Sequence, residues 1–168
     1  CNTKQYAQME SYISELSGNP MLSKSFCITG NHAADTVISI KKAYADSVGI
    51  RLTCEGSFAW LDHLSPIDVC AVFSNLLDNA LEGSTGAANP CITIKGNDHA
   101  HFYTLIFSNA VPENIKIKNN SVKTNKTDKK QHGFGLSSMD SVIRKYNGSY
   151  TLECKEMVFC IKAVFPKK

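Results

Sequence analysis

No run of apolar residues in this sequence reaches the roughly 20 that a membrane-spanning helix needs. The start lacks the charged, apolar, then small-residue order of a secretory leader. The chain opens on Cys1, not Met, and so reads as a piece of a longer protein whose membrane attachment stays open. Seven cysteines are present, an odd number, and none forms a CxxC pair. Several sit in apolar strand or helix patterns and read as small buried hydrophobes of a reducing cytoplasm. Without paired ligands at close spacing, zinc is disfavoured. The phosphate-loop pattern G-x(4)-G-K-[ST] is missing, and no strand feeds a GxGxxG turn, which removes the Walker and Rossmann readings. A net charge of +3 implies no polyanion partner. Lys116, Lys118, Lys123, Lys126, Lys129 and Lys130 do cluster, but no aromatic residue lies among them, which counts against a single-strand nucleic-acid groove.

What is present makes one domain. The chain has 168 residues, 43% hydrophobic and 20% charged, an ordinary globular balance. Residues 4–17 show helical spacing through Tyr6, Met9, Ile13 and Leu16, closed by Ser17-Gly18-Asn19-Pro20. An irregular connection covers 21–30. A helix from about Ala33 to Val48 carries Val37, Ile38, Tyr44, Ala45 and Val48 on one side, and Gly49 ends it. A strand follows over 50–55. Ser65-Pro66-Ile67-Asp68 is a helix start, with serine as cap, proline in the first turn and Asp68 completing a capping box. That helix runs to about Glu82. Strands near 91–97 and 101–109 are joined by a turn at Asn97-Asp98-His99-Ala100. A segment over 111–131 has no core pattern. A helix over 136–146, with Leu136, Met139, Val142, Ile143 and Tyr146 inward, is stopped by Asn147-Gly148. Strands near 149–155 and 157–165 close the chain as a hairpin. Helices and hairpins in this order predict an α+β two-layer sandwich. Its sheet is mixed and mostly antiparallel, covered on one face by helices.

Two constellations carry chemistry. On the helix from Pro66, Val69, Phe73, Leu76, Leu77 and Ala80 share a core face, while Asn75, Asn79 and Glu82 stack one turn apart on the far side. Three oxygen-bearing groups in a column suit magnesium, which needs only one or two protein ligands when phosphates supply others. The plain alternative is a solvated polar face. Further on, His132-Gly133-Phe134-Gly135-Leu136 stands at a helix start. Its glycines let the backbone approach a ligand, and the free N–H groups beyond them attract an anion such as a triphosphate. The plain alternative here is an ordinary loop-to-helix turn. The lysine-bearing loop between the constellations has the composition of a lid, whose lysines reach phosphate oxygens as point charges.

Asn75–Glu82 resembles the N box of the GHKL superfamily of gyrase, MutL and histidine kinases, and HGFGL resembles its G2 box. The stretch Thr124–Leu136 is most similar to the AgrC-like quorum-sensing type of sensor histidine kinase. The likeness extends from about Gly30 to Phe165. It implies a Bergerat-type ATP-binding fold, with 18–168 the catalytic domain and 1–17 the tail of a dimerisation helix. It assigns magnesium to Asn79 with Asn75 beside it, ATP phosphates to the Gly133–Leu136 backbone, Lys126 to the lid near them, and His132 to nucleotide or lid. The superfamily's adenine-reading DxGxG segment is not visible. Phe107-Ser108-Asn109-Ala110-Val111-Pro112 stands near its place, so Asn109 either reads adenine or turns the strand into the lid.

Within the superfamily, hydrolases carry a glutamate four residues before the magnesium asparagine. Here that position is Asn75, which cannot act as a base. The resemblance implies that the chain holds ATP for an external nucleophile, a histidine outside this chain, and then a response regulator of LytTR type. None of the five histidines fits that acceptor. His32 reads as a capping or surface residue, and His63, His99 and His101 fall in loops or strands. The implied setting is the cytoplasmic part of a membrane-bound homodimeric sensor, without direct nucleic-acid contact. The alternatives are a degenerate, nucleotide-gated protein-interaction module of the same fold, and a serine kinase of the anti-sigma type, against which the dimerisation-helix remnant argues.

Overall fold

The computed structural model describes residues 29–118, 121–122 and 134–167. The order is α1 (His32–Ser47), β1 (Arg51–Gly56), a 3-10 turn (Ala59–His63), α2 (Pro66–Gly83), β2 (Cys91–Asp98), β3 (Phe102–Ala110), a short hairpin β4 (Ile117–Lys118) and β5 (Ser121–Val122), α3 (Phe134–Lys145), β6 (Ser149–Lys155) and β7 (Val158–Pro166). The helix expected over 4–17 and nearly all of the connection over 21–30 lie outside the described residues.

The main sheet has the order β1-β2-β3-β7-β6. β1 and β2 run parallel, and every other neighbouring pair is antiparallel. The parallel pair follows from α2, a crossover helix that brings the chain back to start β2 beside β1. Alternation then sorts the side chains. Leu52, Ile92, Ile94, Leu105, Phe107, Ile161, Ala163 and Phe165 are buried on one face. The other face is polar, with Thr53 and Thr93 hydroxyls 3.1 Å apart and Lys95 paired to Glu55 at 2.9 Å. All three helices pack on the apolar face, which gives the expected two layers.

α1 starts one turn-forming residue earlier than its apolar pattern. Asn31 is its cap, accepting from Ala34 N–H at 3.1 Å and donating to Asp62 of the 3-10 turn at 2.8 Å. His32 is therefore the first helical residue and exposed, not the cap. Val37, Ile38 and Ala45 are buried as expected, but Tyr44 and Val48 are 58% and 47% exposed. They stand one turn apart at the end of α1, facing an open crevice in place of the sheet.

α2 begins as its sequence dictates. Ser65 Oγ accepts from Asp68 N–H at 3.3 Å behind Pro66. Val69, Phe73, Leu76, Leu77 and Ala80 are all buried, joined by Val72 and Leu81. Phe73 meets Phe107 of the sheet edge-on, centroids 5.3 Å apart, a contact worth about 1 kcal/mol beyond area burial. α3 starts at Phe134, two residues before the expected boundary, so Gly135 lies inside the helix. It buries Met139, Val142 and Ile143. Asn147 takes the left-handed stop (φ 56°), and Gly148 N–H returns to Ile143 O at 2.8 Å.

The turn after β2 is one residue later than expected, because the strand continues through Asp98. The 3-10 turn had no sequence signal. It sits where Gly56 (φ +99°) and Gly96 let two backbones meet: a Cβ on Gly56 would lie 2.0 Å from Gly96 O. Trp60 of that turn stacks on Tyr103 at 5.1 Å. The segment after β3 is also less featureless than its composition. Val111 N–H bonds Met157 O at 2.8 Å, and Asn114 Oδ1 accepts from Met157 N–H at 3.0 Å, tying it to the β6–β7 turn.

Candidate functional site

The asparagine column is real in its helical setting. Asn75 and Asn79 are half-buried on α2, and Glu82 is exposed a turn further on. Their direction is fixed by two ion pairs on different sides of the helix. Asp78 takes Lys41 of α1 at 2.6 Å. Asp68, in the first turn, takes Lys145 at the end of α3, also at 2.6 Å. Asn75 and Asn79 follow Asp68 by seven and eleven positions. At about 100° per residue, both return to within about 20° of Asp68's direction. The two amides therefore lie on the α3 side of α2, about 10 and 16 Å beyond Asp68 along the axis.

Asp68 is the best-connected polar group there. Its Oδ2 accepts from Lys145 Nζ, Tyr146 Oη and Ser65 Oγ, each at 2.6 Å. Tyr146 Oη in turn accepts from Ser65 N–H at 2.9 Å. Burial pushes the Asp68 carboxyl up, but the hydrogen bonds from Lys145, Ser65 and Tyr146, with the Lys145 charge, outweigh it and hold the group below its ordinary value. From the local pattern Asp68 reads as a capping residue only. Its partners in α3 lie far along the chain, and no local signal marks them.

Asn109 is buried on the helical face of β3. Its Nδ2 donates to Ala110 O at 3.0 Å, and a Cβ on Gly83 would approach that nitrogen to 2.9 Å. Gly83 thus allows the end of α2 to sit directly on Asn109. One N–H of the amide is thus engaged with the carbonyl of the next residue.

A crevice of about 540 Å³ opens between the ends of α1 and α2, lined among others by Tyr44, Val48, Ile50, Asp78, Leu81 and Glu82. Glu82, the third member of the column, lines this crevice, whereas Asn75 and Asn79 do not. No cluster of three or more His, Cys, Asp or Glu suited to a metal occurs among the described residues. The column on α2 offers the amide oxygens of Asn75 and Asn79 and the carboxylate of Glu82, and magnesium takes oxygen ligands completed by phosphate and water. Lys126, His132 and Gly133 lie outside the described residues, and of Phe134, Gly135 and Leu136 only the helical backbone is described. Among the described residues, no helix is long and apolar enough to cross a membrane.

Comparison with known proteins gives this geometry a family. The catalytic domain of the histidine kinase ThkA is similar in structure, with a TM-score of 0.63 and 20% identity over 82% of this chain and 92% of that one. The mycobacterial sensor histidine kinase MprB is similar with a TM-score of 0.59 and 14% identity, over 80% and 93%. The histidine kinase AdeS of Acinetobacter baumannii is similar with a TM-score of 0.57 and 12% identity, over 80% and 62%. At these identities the likeness is one of fold. No curated protein sequence matches. The model of the GHKL domain matches residues 64–166, from the residue before the α2 cap to the end of β7. Most of the chain is thereby covered, and the chain belongs to the GHKL domain family.

Proposed function

We propose that this chain is the ATP-binding catalytic domain of a sensor histidine kinase of the AgrC-like quorum-sensing type. It holds Mg-ATP for phosphoryl transfer to a histidine on a dimerisation domain outside the chain, and onward to a response regulator of LytTR type. Residues 1–17 are then the tail of the dimerisation helix of a homodimeric, membrane-bound parent, with this part in the cytoplasm. The observation that carries the reading is the half-buried Asn75–Asn79 pair on the α3 side of α2, within a GHKL domain.

Asn79, with Asn75 one turn before it, fits as an oxygen donor to magnesium, which when bound neutralises phosphate charge. The first turn of α3 offers N–H groups that have no partner within the helix, and the positive end of its dipole, to phosphate oxygens. Lys126, His132 and Gly133 belong to the same end of the nucleotide. Asn75 cannot serve as a base, so this site positions the γ-phosphate and leaves water unactivated.

The test is calorimetric titration of the chain with ATP, with and without magnesium. Magnesium should tighten binding, and Asn79→Ala should remove that dependence with at least a tenfold loss of affinity. ATP turnover by the chain alone should stay slow, with no phosphohistidine formed. Binding indifferent to both magnesium and Asn79→Ala would refute the reading. Phosphohistidine in the intact parent then separates a kinase from a binding-only module.

A further inference from the structure

Helix α3 is attached to α2 at the end opposite to the asparagines. Its last residue, Lys145, and the residue after it, Tyr146, both donate to Asp68 in the first turn of α2. The two helices pack on each other. Twelve residues of helix span about 18 Å. From Asp68, that length reaches the level of Asn79, about 16 Å along α2 on the same side. A helix of that length, anchored tail-to-head at Asp68, is long enough to bring its first turn to the level of the two amides.

We propose that Asp68 is a positioning residue for the phosphate end of the nucleotide site. Through Lys145 and Tyr146 it sets the axial placement of α3 against α2, and so the distance between the first-turn N–H groups of α3 and Asn75 and Asn79. Two donors from the end of α3 converge on one carboxylate oxygen that Ser65 also holds, and such charge-assisted hydrogen bonds are short and directional. Tyr146 works in both directions, accepting from Ser65 N–H while donating to Asp68. This inference rests on the ATP-binding reading for its functional consequence, and on geometry alone for the placement of α3.

The experiment has two arms on the whole chain. In the first, affinities for Mg-ATP and for adenosine are measured for the parent sequence, Asp68→Asn, Tyr146→Phe and Ser65→Ala. Asp68→Asn should weaken Mg-ATP about tenfold and leave adenosine unchanged. Tyr146→Phe should act in the same direction, and the double variant should be no worse than Asp68→Asn, because the two residues act as one unit. Ser65→Ala removes the cap and one donor to Asp68, and should shift the ATP-to-adenosine ratio in the same direction as Asp68→Asn but by less. In the second arm, hydrogen exchange is followed in peptides covering 134–145 without nucleotide. Asp68→Asn should speed exchange there about tenfold relative to β2 and β3. An unchanged ratio, or an equal loss for ATP and adenosine, in a folded Asp68→Asn variant overturns the proposal. So does unaltered exchange in α3. If the parent sequence binds no Mg-ATP, the nucleotide reading fails, and the exchange arm still decides whether Asp68 places α3.

Discussion

Asp68 combines two jobs that sequence and structure reveal unequally. Ser65-Pro66-Ile67-Asp68 announces a helix start within four residues, and the structure has that cap. The link to Tyr146 spans 78 positions and was invisible, because only the packing of α3 on α2 brings it about. The side chain of Asp68 is only 13% exposed, so its charge depends on these partners. This has a pH consequence. The folded-state pKa lies below its ordinary value, so the unfolded chain binds the proton more readily in acid. Asp68 therefore contributes stability above about pH 4, the unfolded carboxyl range, and that contribution is lost as pH falls through the lower folded value. Urea midpoints at pH 7, 4 and 3 should show the gap between the parent sequence and Asp68→Asn closing from about pH 4 downward. A gap constant across that range would mean that the carboxylate charge contributes nothing to these contacts. That Asn75 and Asn79 stack one turn apart on α2 was legible from spacing. Their direction was not, since a helical wheel gives relative angles and needs Asp68 and Asp78 to orient it.

Elements with a strong period were legible because burial on one face writes the period into the sequence. α2, β2, β3 and β7 all emerged within a residue or two of their expected ends. Those defined by distant contacts did not. The 3-10 turn at Ala59–His63 is too short to show a period, and Trp60 explains itself only against Tyr103 and Phe165. The parallel pairing of β1 with β2 depends on α2 crossing over, which no strand pattern records. The β6–β7 turn shows a local rule being broken. Its two residues, Glu156 and Met157, both have positive φ (51° and 58°), a conformation in which a Cβ is crowded and for which Asn-Gly is the preferred pair. The turn persists because Met157 backbone groups bond Val111 and Asn114 in the segment after β3. The Met157 side chain is exposed, so removing it loses little packing. Met157→Gly should then stabilise the chain by about 1 kcal/mol through relief of that strain. The measurement is a urea midpoint that rises with an unchanged slope. A fall would mean that the side chain, not the backbone bonds, holds the turn.

The whole molecule is held by one hydrophobic core among the described residues, running from Ala34 in α1 through α2, α3 and the sheet to Phe165. Helices and sheet have no separate interiors: Phe73 from α2 packs on Phe107, and Trp60 packs between Tyr103 and Phe165 at another part of the same core. A shared core couples the layers, so unfolding one exposes the inner face of the other. Trp60 is the only tryptophan, and it is 4% exposed, so its fluorescence reports the sheet side of this core. Far-ultraviolet circular dichroism reports mainly the helices. The two signals should give the same urea midpoint. Phe73→Leu, which thins the core beneath α2 and removes the edge-on ring pair, should lower both midpoints together, by about 1–2 kcal/mol in stability. Were the dichroism midpoint to move while the fluorescence midpoint stayed, α2 would be a separately folding layer. Its asparagines would then not be held rigidly against the sheet, and a site built between α2 and α3 would have no fixed floor.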